Sequence, residues 1–465
     1  MKVIFLAMAL IKSLDFIYLL QIKEYRVDRF KAFLTEEGIG RIFYFRFIRL
    51  PALSIRNIGI TLISFLILIL ITMILNDVEL IHFLILPAFS FLAVGTGVVL
   101  TALPVSLYRR IKIAEAKKVI DASRSVRIGI TGSFGKTSVK EFLYHILSSK
   151  FRTAKTEKNM NSDIGVALSI IKNVKKDTQF FIAEMGAYKK GEIRKICELT
   201  HPKIGIVTAI GNQHLDLFGS VEWLVSAKSE LVESLPKKGA LYINEKIRYY
   251  EEIVKKTKCE VVSYSLDSKA DITAEKISGT ETGSNARVYY KNKAFDIKTA
   301  LLGKHNILNL LPAIAIATDA GMTEEEITRA IFTLKPVSHR LEVKSGTNSA
   351  TVLDDSYNSN VEGFLTGIDV AESFSLPKTI IVSRGIIELG EQKKSSYKKI
   401  VNRIKPPVEL WTTDPHFQTV DNEKNVKIYK SEKELLKDIL TNLNQRTVLL
   451  VEGKFPLPFL TSLGI

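Results

Sequence analysis

The sequence predicts an α/β protein in three parts: a helical membrane hairpin, a central domain built on a parallel sheet, and a smaller Rossmann-like domain at the carboxyl end. Two long uncharged stretches in the first quarter of the chain predict the hairpin. From residue 127 onward, short β-rich runs alternate with helical patterns, which is typical of sheets covered by helices. We therefore expect domains at residues 1–124, 125–337 and 338–465.

The composition excludes several classes of protein. The 465-residue chain holds two cysteines, Cys197 and Cys259, in unrelated contexts, which excludes a disulfide framework and a cysteine-based zinc site. Its formal net charge is +16, and residues 1–118 carry 15 Lys and Arg against 8 Asp and Glu. No known nucleic-acid-binding motif appears in the chain. We therefore expect a membrane, and no nucleic acid, as the partner of the basic first quarter.

The hairpin prediction comes from two apolar stretches with four mostly polar residues between them. Residues 58–75 contain no charge, and 14 of these 18 are Ile, Leu, Phe or Met; residues 80–103 are also uncharged. Both are long enough to cross a bilayer, so we expect transmembrane helices at about 58–75 and 80–103. Basic residues flank both outer ends, whereas the short connection is acidic. The positive-inside rule then predicts an inner-membrane protein with its catalytic domains on the cytoplasmic side.

The first 34 residues leave alternatives open. Residues 3–22 are apolar except for a few positions, including Lys12 and Asp15. The favourable free energy of membrane insertion of the 13 strongly apolar residues roughly cancels the unfavourable free energy of inserting these two charges. The segment is compatible with a third span, an interfacial helix or, as the weakest fit, a signal peptide. Residues 23–34 have the pattern of a basic amphipathic helix on the inner leaflet, or of a solvated charged helix.

A glycine-containing loop between an apolar run and a helical pattern is the strongest functional signal. The run at 128–130 leads into Thr131-Gly132-Ser133-Phe134-Gly135-Lys136-Thr137-Ser138, and the helical pattern of 139–149 follows. This arrangement wraps backbone N–H groups around a polyphosphate, as in P-loop ATPase domains. We expect the loop to bind ATP, Lys136 to neutralise the β- and γ-phosphates, and the Thr137 hydroxyl to ligate Mg²⁺.

The remaining elements follow from the spacing of apolar residues. In the central domain we expect strands at 128–131, 180–183, 204–208, 240–244 and 261–264, and helices at 139–149, 191–199, 221–230, 303–320 and 324–332. A polar, Gly-containing stretch at 271–299 predicts an inserted β-hairpin. After a linker at Pro336, the Rossmann-like domain is expected to start near Arg340. Its first strand is predicted at 350–353, with further strands at 379–382, 409–412, 426–429 and 447–451.

Charged and polar residues lie where several of these strands end, and that edge of an open α/β sheet is where ligands bind. Glu184 ends one strand, His214 follows the next, and Asp355 ends the first strand of the last domain. The stretches 227–230 and 303–309 add further polar residues at helices. Each residue alone also has a structural explanation, such as a salt-bridged strand end, a loop histidine or a turn.

In their order and spacing, these stretches resemble the Mur ligases, the ATP-dependent amide ligases of peptidoglycan precursor synthesis. The resemblance runs from about residue 126 to the end, with further similar stretches at 159–166, 184–193, 214–220 and 388–391. The most similar members add D-alanyl-D-alanine to a muramyl tripeptide. The resemblance implies ATP and Mg²⁺ as cofactors, and a muramyl peptide and D-alanyl-D-alanine as substrates. It also implies that a carboxylate is activated as an acyl phosphate, which an amine then attacks.

The resemblance assigns a role to each candidate residue. Lys136 and Thr137 would hold the phosphates and one Mg²⁺, which Glu184 would also ligate, while His214 would ligate a second Mg²⁺. Lys228 resembles the lysine that is carbamylated in this family, and its carbamate would support the second metal. Four further residues resemble nucleotide contacts, the last two brought to the site by closure of the last domain: Asn306, Asn309, Arg340 and Asp355.

The chain departs from the family mainly on the substrate side. The first domain of the family, which grips the uridine diphosphate of the precursor, has no recognisable counterpart, and the membrane hairpin stands in its place. Arg384-Gly385-Ile386 replaces a frequent Gly-Asp-Met, and residues 451–455 lack the Lys-Gly-Ser-Arg of many members. The nucleotide half of the prediction is therefore better supported than either substrate.

Two other functions remain open from the sequence. A membrane-bound poly-γ-glutamate-type synthetase would use the same ATP chemistry, and a non-catalytic scaffold would bind ATP at the membrane without turning it over. Within the leading prediction the precursor is either UDP-linked or lipid-linked, and a lipid-linked precursor would give the hairpin a purpose. The oligomeric state, the third peptide residue and the way the precursor is held are not predicted.

Overall fold

The structure is a computed structural model. It describes residues 2–22, 25, 30, 34, 50–74, 79–187, 189–211, 221–266, 269–386, 389, 392–419 and 425–465. The chain divides into two compact units, residues 1–114 and residues 115–465.

The first unit is helical. It contains α1 (Lys2–Ile22), α2 (Ile55–Ile74) and most of α3 (Glu79–Ala122). Helices α2 and α3 form where the two apolar stretches predict them, and both are long and apolar enough to cross a membrane by length and composition. Helix α3 runs past its predicted end at residue 103, because its charged second half is rich in Arg, Lys, Glu and Ala, which favour helices. That α2 and α3 cross a membrane stays a prediction.

Nine strands form the first sheet of the second unit: β1 (Val126–Thr131), β2 (Thr153–Lys155), β3 (Phe180–Glu184), β4 (Ile204–Val207), β5 (Ala240–Asn244), β6 (Glu260–Tyr264), β7 (Ile272–Thr280), β8 (Gly283–Tyr290) and β9 (Lys293–Thr299). Their order is β2-β3-β1-β4-β5-β6-β7-β8-β9. Neighbours are parallel from β2 to β7 and antiparallel from β7 to β9. The predicted parallel sheet is confirmed.

The predicted β-hairpin over 271–299 is corrected by the structure. Three antiparallel strands, β7, β8 and β9, occupy this segment and extend the parallel sheet. The second reversal of the chain is at Lys291, which has a positive φ of 45° although it is not a glycine. Because no glycine or proline marks this turn, the sequence pattern showed only one reversal.

Helices connect the strands of the first sheet: α4 (Lys136–Ser148), α5 (Asp163–Asn173), α6 (Glu192–Thr200), α7 (Val221–Glu233), α8 (Tyr250–Val254), α9 (Lys304–Asp319) and α10 (Glu324–Phe332). Helices α4 and α9 pack on each other, where Phe142 and Ile146 meet Leu310 and Ile314 in one buried cluster with Ile130 of β1. Burial of each such side chain stabilises the fold by about 1.5–3 kcal/mol. The cluster therefore fixes the start of α4 against the sheet.

The second sheet has six strands: β10 (Glu342–Ser345), β11 (Thr351–Asp355), β12 (Lys378–Ser383), β13 (Val408–Thr412), β14 (Val426–Ile428) and β15 (Thr447–Glu452). Their order is β10-β11-β15-β12-β13-β14, and only β10 is antiparallel to its neighbour. Four helices accompany it: α11 (Val361–Ser373), α12 (Lys393–Arg403), α13 (Glu432–Asn442) and α14 (Leu457–Ser462).

The strand predicted to open the last domain, at 350–353, is in fact the second strand of its sheet in chain order. Strand β10 precedes it and pairs antiparallel with β11. Its sequence, Glu-Val-Lys-Ser, is short and has one apolar residue, Val343, which is exposed. Such an edge strand carries little apolar signal, so the sequence did not reveal it.

The parallel arrangement decides which side chains meet. In the first sheet, β1 and β3 are neighbours, so the phosphate loop after Thr131 lies beside Glu184 at the end of β3. In the second sheet, β11 and β15 are neighbours, and Asp355 pairs in register with Glu452. The carboxyl edges of both sheets thus carry the candidate residues, as expected for open α/β sheets.

The first testable prediction concerns the N-terminus of α10. Thr323 Oγ1 accepts a hydrogen bond from the Glu326 backbone N–H at 3.2 Å, and the Glu326 carboxylate accepts one from the Thr323 N–H at 2.8 Å. Loss of such a capping box costs about 1 kcal/mol. In Thr323→Ala, amide hydrogen exchange across 324–332 is expected to be several-fold faster.

The matched control is Thr328→Ala on the same helix. The Thr328 hydroxyl donates only to the carbonyl oxygens of Glu324 and Glu325 within its own helix. Its removal is expected to leave exchange in α10 unchanged, because alanine favours helices. Equal acceleration in both variants would contradict a specific role for the cap.

Candidate active site

The loop between β1 and α4 needs two glycines for its path. Gly132 has φ 149° and Gly135 has φ 83°, in the region that favours glycine. A Cβ at Gly132 would lie 2.0 Å from Thr208 Oγ1, and one at Gly135 would lie 2.9 Å from Asn309 Oδ1. The loop is thus pressed against the end of β4 on one side and against α9 on the other.

Hydrogen bonds tie this loop to the segment after β4. The Ser133 N–H donates to Ala209 O at 2.7 Å, and the Thr208 hydroxyl donates to Phe134 O at 2.5 Å. The Gly211 N–H donates back to Ser133 Oγ at 3.0 Å. These bonds fix the path of the loop around the first turn of α4.

The first turn of α4 suits an anion. Gly135 precedes the helix without a side-chain cap, so the first N–H groups and the positive end of the helix dipole face the loop. Lys136 Nζ donates to Gly132 O at 2.7 Å and to Ser133 O at 3.1 Å. Burial lowers the pKa of Lys136, against the attraction of Glu184. A glycine cradle with a lysine at a helix N-terminus fits a polyphosphate.

A second lysine enters the loop from α7. Lys228 is 4% exposed, and its Nζ donates to the same carbonyl oxygen, Gly132 O, at 3.0 Å. Burial lowers the pKa of Lys228 well below its usual value, and the nearby Lys136 lowers it further. An amine of this kind is neutral in a larger fraction of molecules, and only the neutral amine is nucleophilic.

Glu184 is surrounded by groups that favour its ionised form. It is 3% exposed, Lys140 Nζ lies 3.2 Å from its Oε2, and Asn161 Nδ2 donates to its Oε1 at 3.2 Å. Burial alone would raise the pKa of Glu184, but Lys140, Lys136 and Asn161 together bring that pKa below its usual value. Glu184 is therefore a carboxylate, the form that a Mg²⁺ ligand requires.

The second sheet contributes a cation to the phosphate loop. Arg340 Nη2 donates to Thr137 Oγ1 at 3.4 Å, and its guanidinium lies 4.4 Å from the ring centroid of Tyr357. The Tyr357 hydroxyl donates to Asn159 Oδ1 across the same junction. Arg340 therefore lies beside Thr137 at the start of α4, while its contact with a nucleotide stays a prediction.

Asp355 and Glu452 form a pair of neighbouring carboxyl groups on adjacent strands, and Asp355 is half-buried. Glu452 is completely buried, and Ser359 Oγ donates to its Oε1 at 2.6 Å. Burial raises the pKa of Asp355, although the positive charge of Arg340 opposes this rise. Burial also raises the pKa of Glu452, and the negative charge of Asp355 raises it further. Two such neighbours cannot both ionise readily, so the pair retains a proton.

The structure places the other predicted residues as follows. The Thr131 hydroxyl is fully buried and donates to Met185 O at 3.2 Å, so its side chain supports the loop, and Ser138 is also buried. Asn309 lies against Gly135, whereas Asn306 is buried and donates to Leu302 O at 2.9 Å. His214 lies outside the described residues. Within the described part of the chain, no group of three His, Cys, Asp or Glu could hold a metal ion.

Sequence reasoning did not single out several side chains that complete the site. Lys140 is fully buried and lies one helical turn after Lys136, a spacing that was available as a signal. Asn161 and Tyr357 lay inside stretches that carried the family resemblance but received no role. Glu452 was noted only as a departure, since register across a parallel sheet cannot be seen in one strand.

Comparison with known sequences matches this region to a described family. Residues 130–317 match the model of the Mur ligase middle domain. This stretch of the chain is therefore similar to the middle domain of the Mur ligases. The match covers β1 to α9, so the phosphate loop, Glu184, Lys228 and both asparagines of α9 lie within it.

Individual relatives extend the likeness beyond the middle domain. The UDP-N-acetylmuramoyl-tripeptide–D-alanyl-D-alanine ligase of Bacillus subtilis is 29% identical over 282 residues, which is 60% of each chain. Structures of MurF from Acinetobacter baumannii and of MurF ligase from Thermotoga maritima in complex with ADP give TM-scores of 0.68 and 0.67 at 22% identity. Each covers 74% of this chain, and 77% and 80% of theirs. The fold is that of the Mur ligases, and the chain spans about 60% of the first relative's length.

The second testable prediction concerns Lys140. In Lys140→Met, Glu184 loses its closest cation while staying buried, and breaking such a pair costs about 3–5 kcal/mol. The midpoint of thermal unfolding of the detergent-purified protein is expected to fall by several degrees at pH 8. The matched control is Lys155→Met, because Lys155 pairs with Glu141 on the partly exposed side of the same helix, where pairs contribute about 0–1 kcal/mol.

The effect of Lys140→Met is expected to depend on pH. In the wild type the pKa of Glu184 is depressed, so its ionised form stabilises the fold until the pH falls through that low pKa. In the variant, burial prevails and raises the pKa of Glu184, so protonation relieves the penalty as the pH falls. The difference in midpoint should narrow from pH 8 to pH 5. If the difference in midpoint between wild type and variant stays constant from pH 8 to pH 5, the ionisation of Glu184 is not the cause of the destabilisation.

Proposed function

We propose that the protein is an ATP-dependent, ADP-forming ligase that makes an amide bond between a muramyl-peptide precursor and D-alanyl-D-alanine. The observation that carries this proposal is the convergence of Lys136, Lys228 and Arg340 on one glycine loop beside the carboxylate of Glu184. The loop, its two lysines and Glu184 lie within the stretch that matches the Mur ligase middle domain.

ATP and Mg²⁺ fit the residues present. The positive φ of Gly132 and Gly135 leaves backbone N–H groups exposed at the start of α4, where phosphates bind. Thr137 and Glu184 supply the oxygen ligands that Mg²⁺ prefers. His214 and a carbamate on Lys228 would supply a second metal site, and the lowered pKa of Lys228 favours reaction of its neutral amine with carbon dioxide.

Charge neutralisation is the task of the protein in this reaction. ATP, when bound, supplies the phosphoryl group that activates the substrate carboxylate as an acyl phosphate. Both partners are anionic, so Lys136 and Arg340, which both contact the loop or the first turn of α4, would lower the repulsion between them. Glu184 stays ionised because Lys140 neutralises it from behind. Asn306, Asn309 and Asp355 are assigned to the nucleotide on the same resemblance.

The substrate assignment rests on the relatives. Those described above are named for a UDP-muramoyl tripeptide and D-alanyl-D-alanine. The domain limits belong to the same proposal: 1–124 for the membrane region, 125–337 for the ATP-binding domain and 338–465 for the Rossmann-like domain. The first region differs from a uridine-binding domain in containing, among its described residues, long apolar helices. We assign it to the inner membrane, with the ligase on the cytoplasmic side and a lipid-linked precursor as a candidate substrate.

One observation favours a second candidate, an amide ligase with a different amine substrate. The two departures from the family in the last domain contact each other: Arg384 Nη1 donates to Lys454 O at 3.3 Å, and Arg384 Nε lies 2.9 Å from Glu432 Oε1. This contact is at the carboxyl edge of the second sheet, in the domain expected to orient the incoming amine. A poly-γ-glutamate-type synthetase is the alternative of this kind.

The third testable prediction is ADP release by the detergent-purified full chain with Mg²⁺. We expect release to require both a muramyl tripeptide and D-alanyl-D-alanine, with a product heavier by the dipeptide. UDP-linked and lipid-linked precursors are tested side by side. ADP release with the lipid-linked precursor alone would identify that precursor as the substrate. No ADP release with either precursor would favour the amide ligase with a different amine substrate.

A variant separates catalysis from simple ATP binding. In Lys136→Ala the loop loses its phosphate-binding cation but keeps its glycines, so ADP release is expected to fall by at least 100-fold without unfolding. Full ATP turnover in this variant would contradict the assigned site. A wild type that binds ATP without releasing ADP under any condition would favour the scaffold.

The fourth testable prediction concerns the carbamate. Lys228→Ala is expected to lose ADP release, and small carboxylates such as formate or acetate are expected to restore part of it, because they replace the lost anionic group. Lys136→Ala serves as the matched control, since a carboxylate cannot replace a cation. Absence of rescue in Lys228→Ala, or equal rescue in both variants, would contradict carbamylation.

A further inference from the structure

Helix α1 is packed along the two helices of the proposed hairpin. Ala9 lies in one buried cluster with Leu68 of α2 and Ala93 of α3. Nearly two turns further along, Phe16 and Ile17 lie in a second cluster. That cluster also contains Ile60 of α2 and Val94 of α3. The first unit is therefore a bundle of three helices rather than a hairpin with a separate segment before it.

The order of these contacts gives the direction of α1. Ala9 meets Leu68 and Ile17 meets Ile60, and just before the end of α1 Gln21 Oε1 accepts a hydrogen bond from Asn57 Nδ2 at 3.0 Å. Residue numbers rise along α1 as they fall along α2, so the two helices are antiparallel. Ser90 Oγ of α3 also donates to Ala9 O at 3.2 Å.

Helices α2 and α3 are antiparallel by the same argument. A Cβ at Gly97 would lie 3.1 Å from Ile60, and one at Gly59 would lie 3.6 Å from Thr101. Helix α1 therefore runs in the same direction as α3. Its first residues lie at the end where α2 turns into α3, and its last residues lie at the end of the bundle that carries Arg56.

The two charges that left residues 1–22 undecided are inside the bundle. Lys12 Nζ lies 3.4 Å from Asp15 Oδ2, and both side chains are 2% exposed. Lys12 also lies 4.9 Å from the ring centroid of Phe16. Charged residues in membrane helices face the bundle interior and pair with each other. The insertion cost of a lipid-facing lysine and aspartate therefore does not apply to α1.

The outer surface of α2 and α3 has the chemistry of a lipid contact. Leu62, Leu66 and Leu70 are 58–65% exposed on α2, and Leu92 and Val99 are 60% and 71% exposed on α3. The hydroxyl groups of α2 do not disturb this surface, because those of Thr61, Ser64 and Thr72 donate to carbonyl oxygens four residues earlier in the helix. At 21 residues, α1 is about 30 Å long, the thickness of a bilayer core.

We propose that α1 is a third membrane-crossing helix, which places residue 2 on the non-cytoplasmic side of the membrane. The proposal rests on the membrane attachment proposed above and adds to it an odd number of crossings. The partner of the outer surface is the bilayer, and the pair of Lys12 and Asp15 is an internal contact of the bundle.

The test maps the side of single cysteines in the full chain. Cys197 and Cys259 are the two cysteines of the chain, so Cys197→Ala and Cys259→Ser give a cysteine-free background. Single reporters are Lys2→Cys, Asn76→Cys between α2 and α3, and Lys117→Cys on the exposed far part of α3. Intact spheroplasts are treated with a membrane-impermeant maleimide, and a detergent-solubilised sample measures total labelling.

We expect reporters 2 and 76 to be labelled in intact spheroplasts and reporter 117 only after solubilisation. An intact mass that includes residues 2–22 is also expected, because α1 is part of the bundle. Labelling of 76 but not of 2 before solubilisation, or cleavage of residues 1–22, would overturn the third span and leave the hairpin standing. Labelling of 76 only after solubilisation would overturn the membrane hairpin itself, and α1 with it.

Discussion

Three lysines and one arginine, Lys136, Lys140, Lys228 and Arg340, lie around the phosphate loop and the carboxylate of Glu184, whose pKa these basic neighbours help to lower. Buried charges are costly unless they are paired, and Lys140 pairs with Glu184 at 3.2 Å. Lys136 and Lys228 both donate to the carbonyl oxygen of Gly132, Lys136 also donates to that of Ser133, and burial lowers the pKa of both lysines. Anions that bind at such a site would be stabilised by its basic groups. A polyphosphate therefore fits the electrostatics of the site as well as its shape.

The last domain contributes both a basic and two acidic side chains near the phosphate loop. Arg340 reaches the loop, while Asp355 and Glu452 lie on neighbouring strands. Because this carboxyl pair retains a proton, it opposes Arg340 with less than two negative charges and leaves the guanidinium attractive to phosphate.

The sequence was sufficient for the elements with strong apolar periods and for residues adjacent to a sequence motif. The phosphate loop, β3 with Glu184 and α9 were predicted close to their observed positions, because each combines a periodic core face with a clear boundary. Pairings between distant strands were not predictable: the register of Asp355 with Glu452 is a property of the assembled sheet. Edge strand β10 was missed because a short, half-exposed strand has no apolar signature.

The departures from the Mur ligase pattern fall on the substrate side of the proposed reaction. The residues that the proposal assigns to phosphate and metal lie in the stretch that matches the middle domain, whereas the first unit is a helical bundle and Arg384 contacts Lys454 in the last sheet. In the proposed function, a ligase without a uridine-binding domain must bind its precursor by other contacts. If enzyme and precursor share one membrane, the effective concentration of the precursor rises and weaker direct contacts suffice. Loss of the uridine-binding domain and gain of the bundle are then two parts of one change, from holding a soluble precursor to meeting a membrane-bound one.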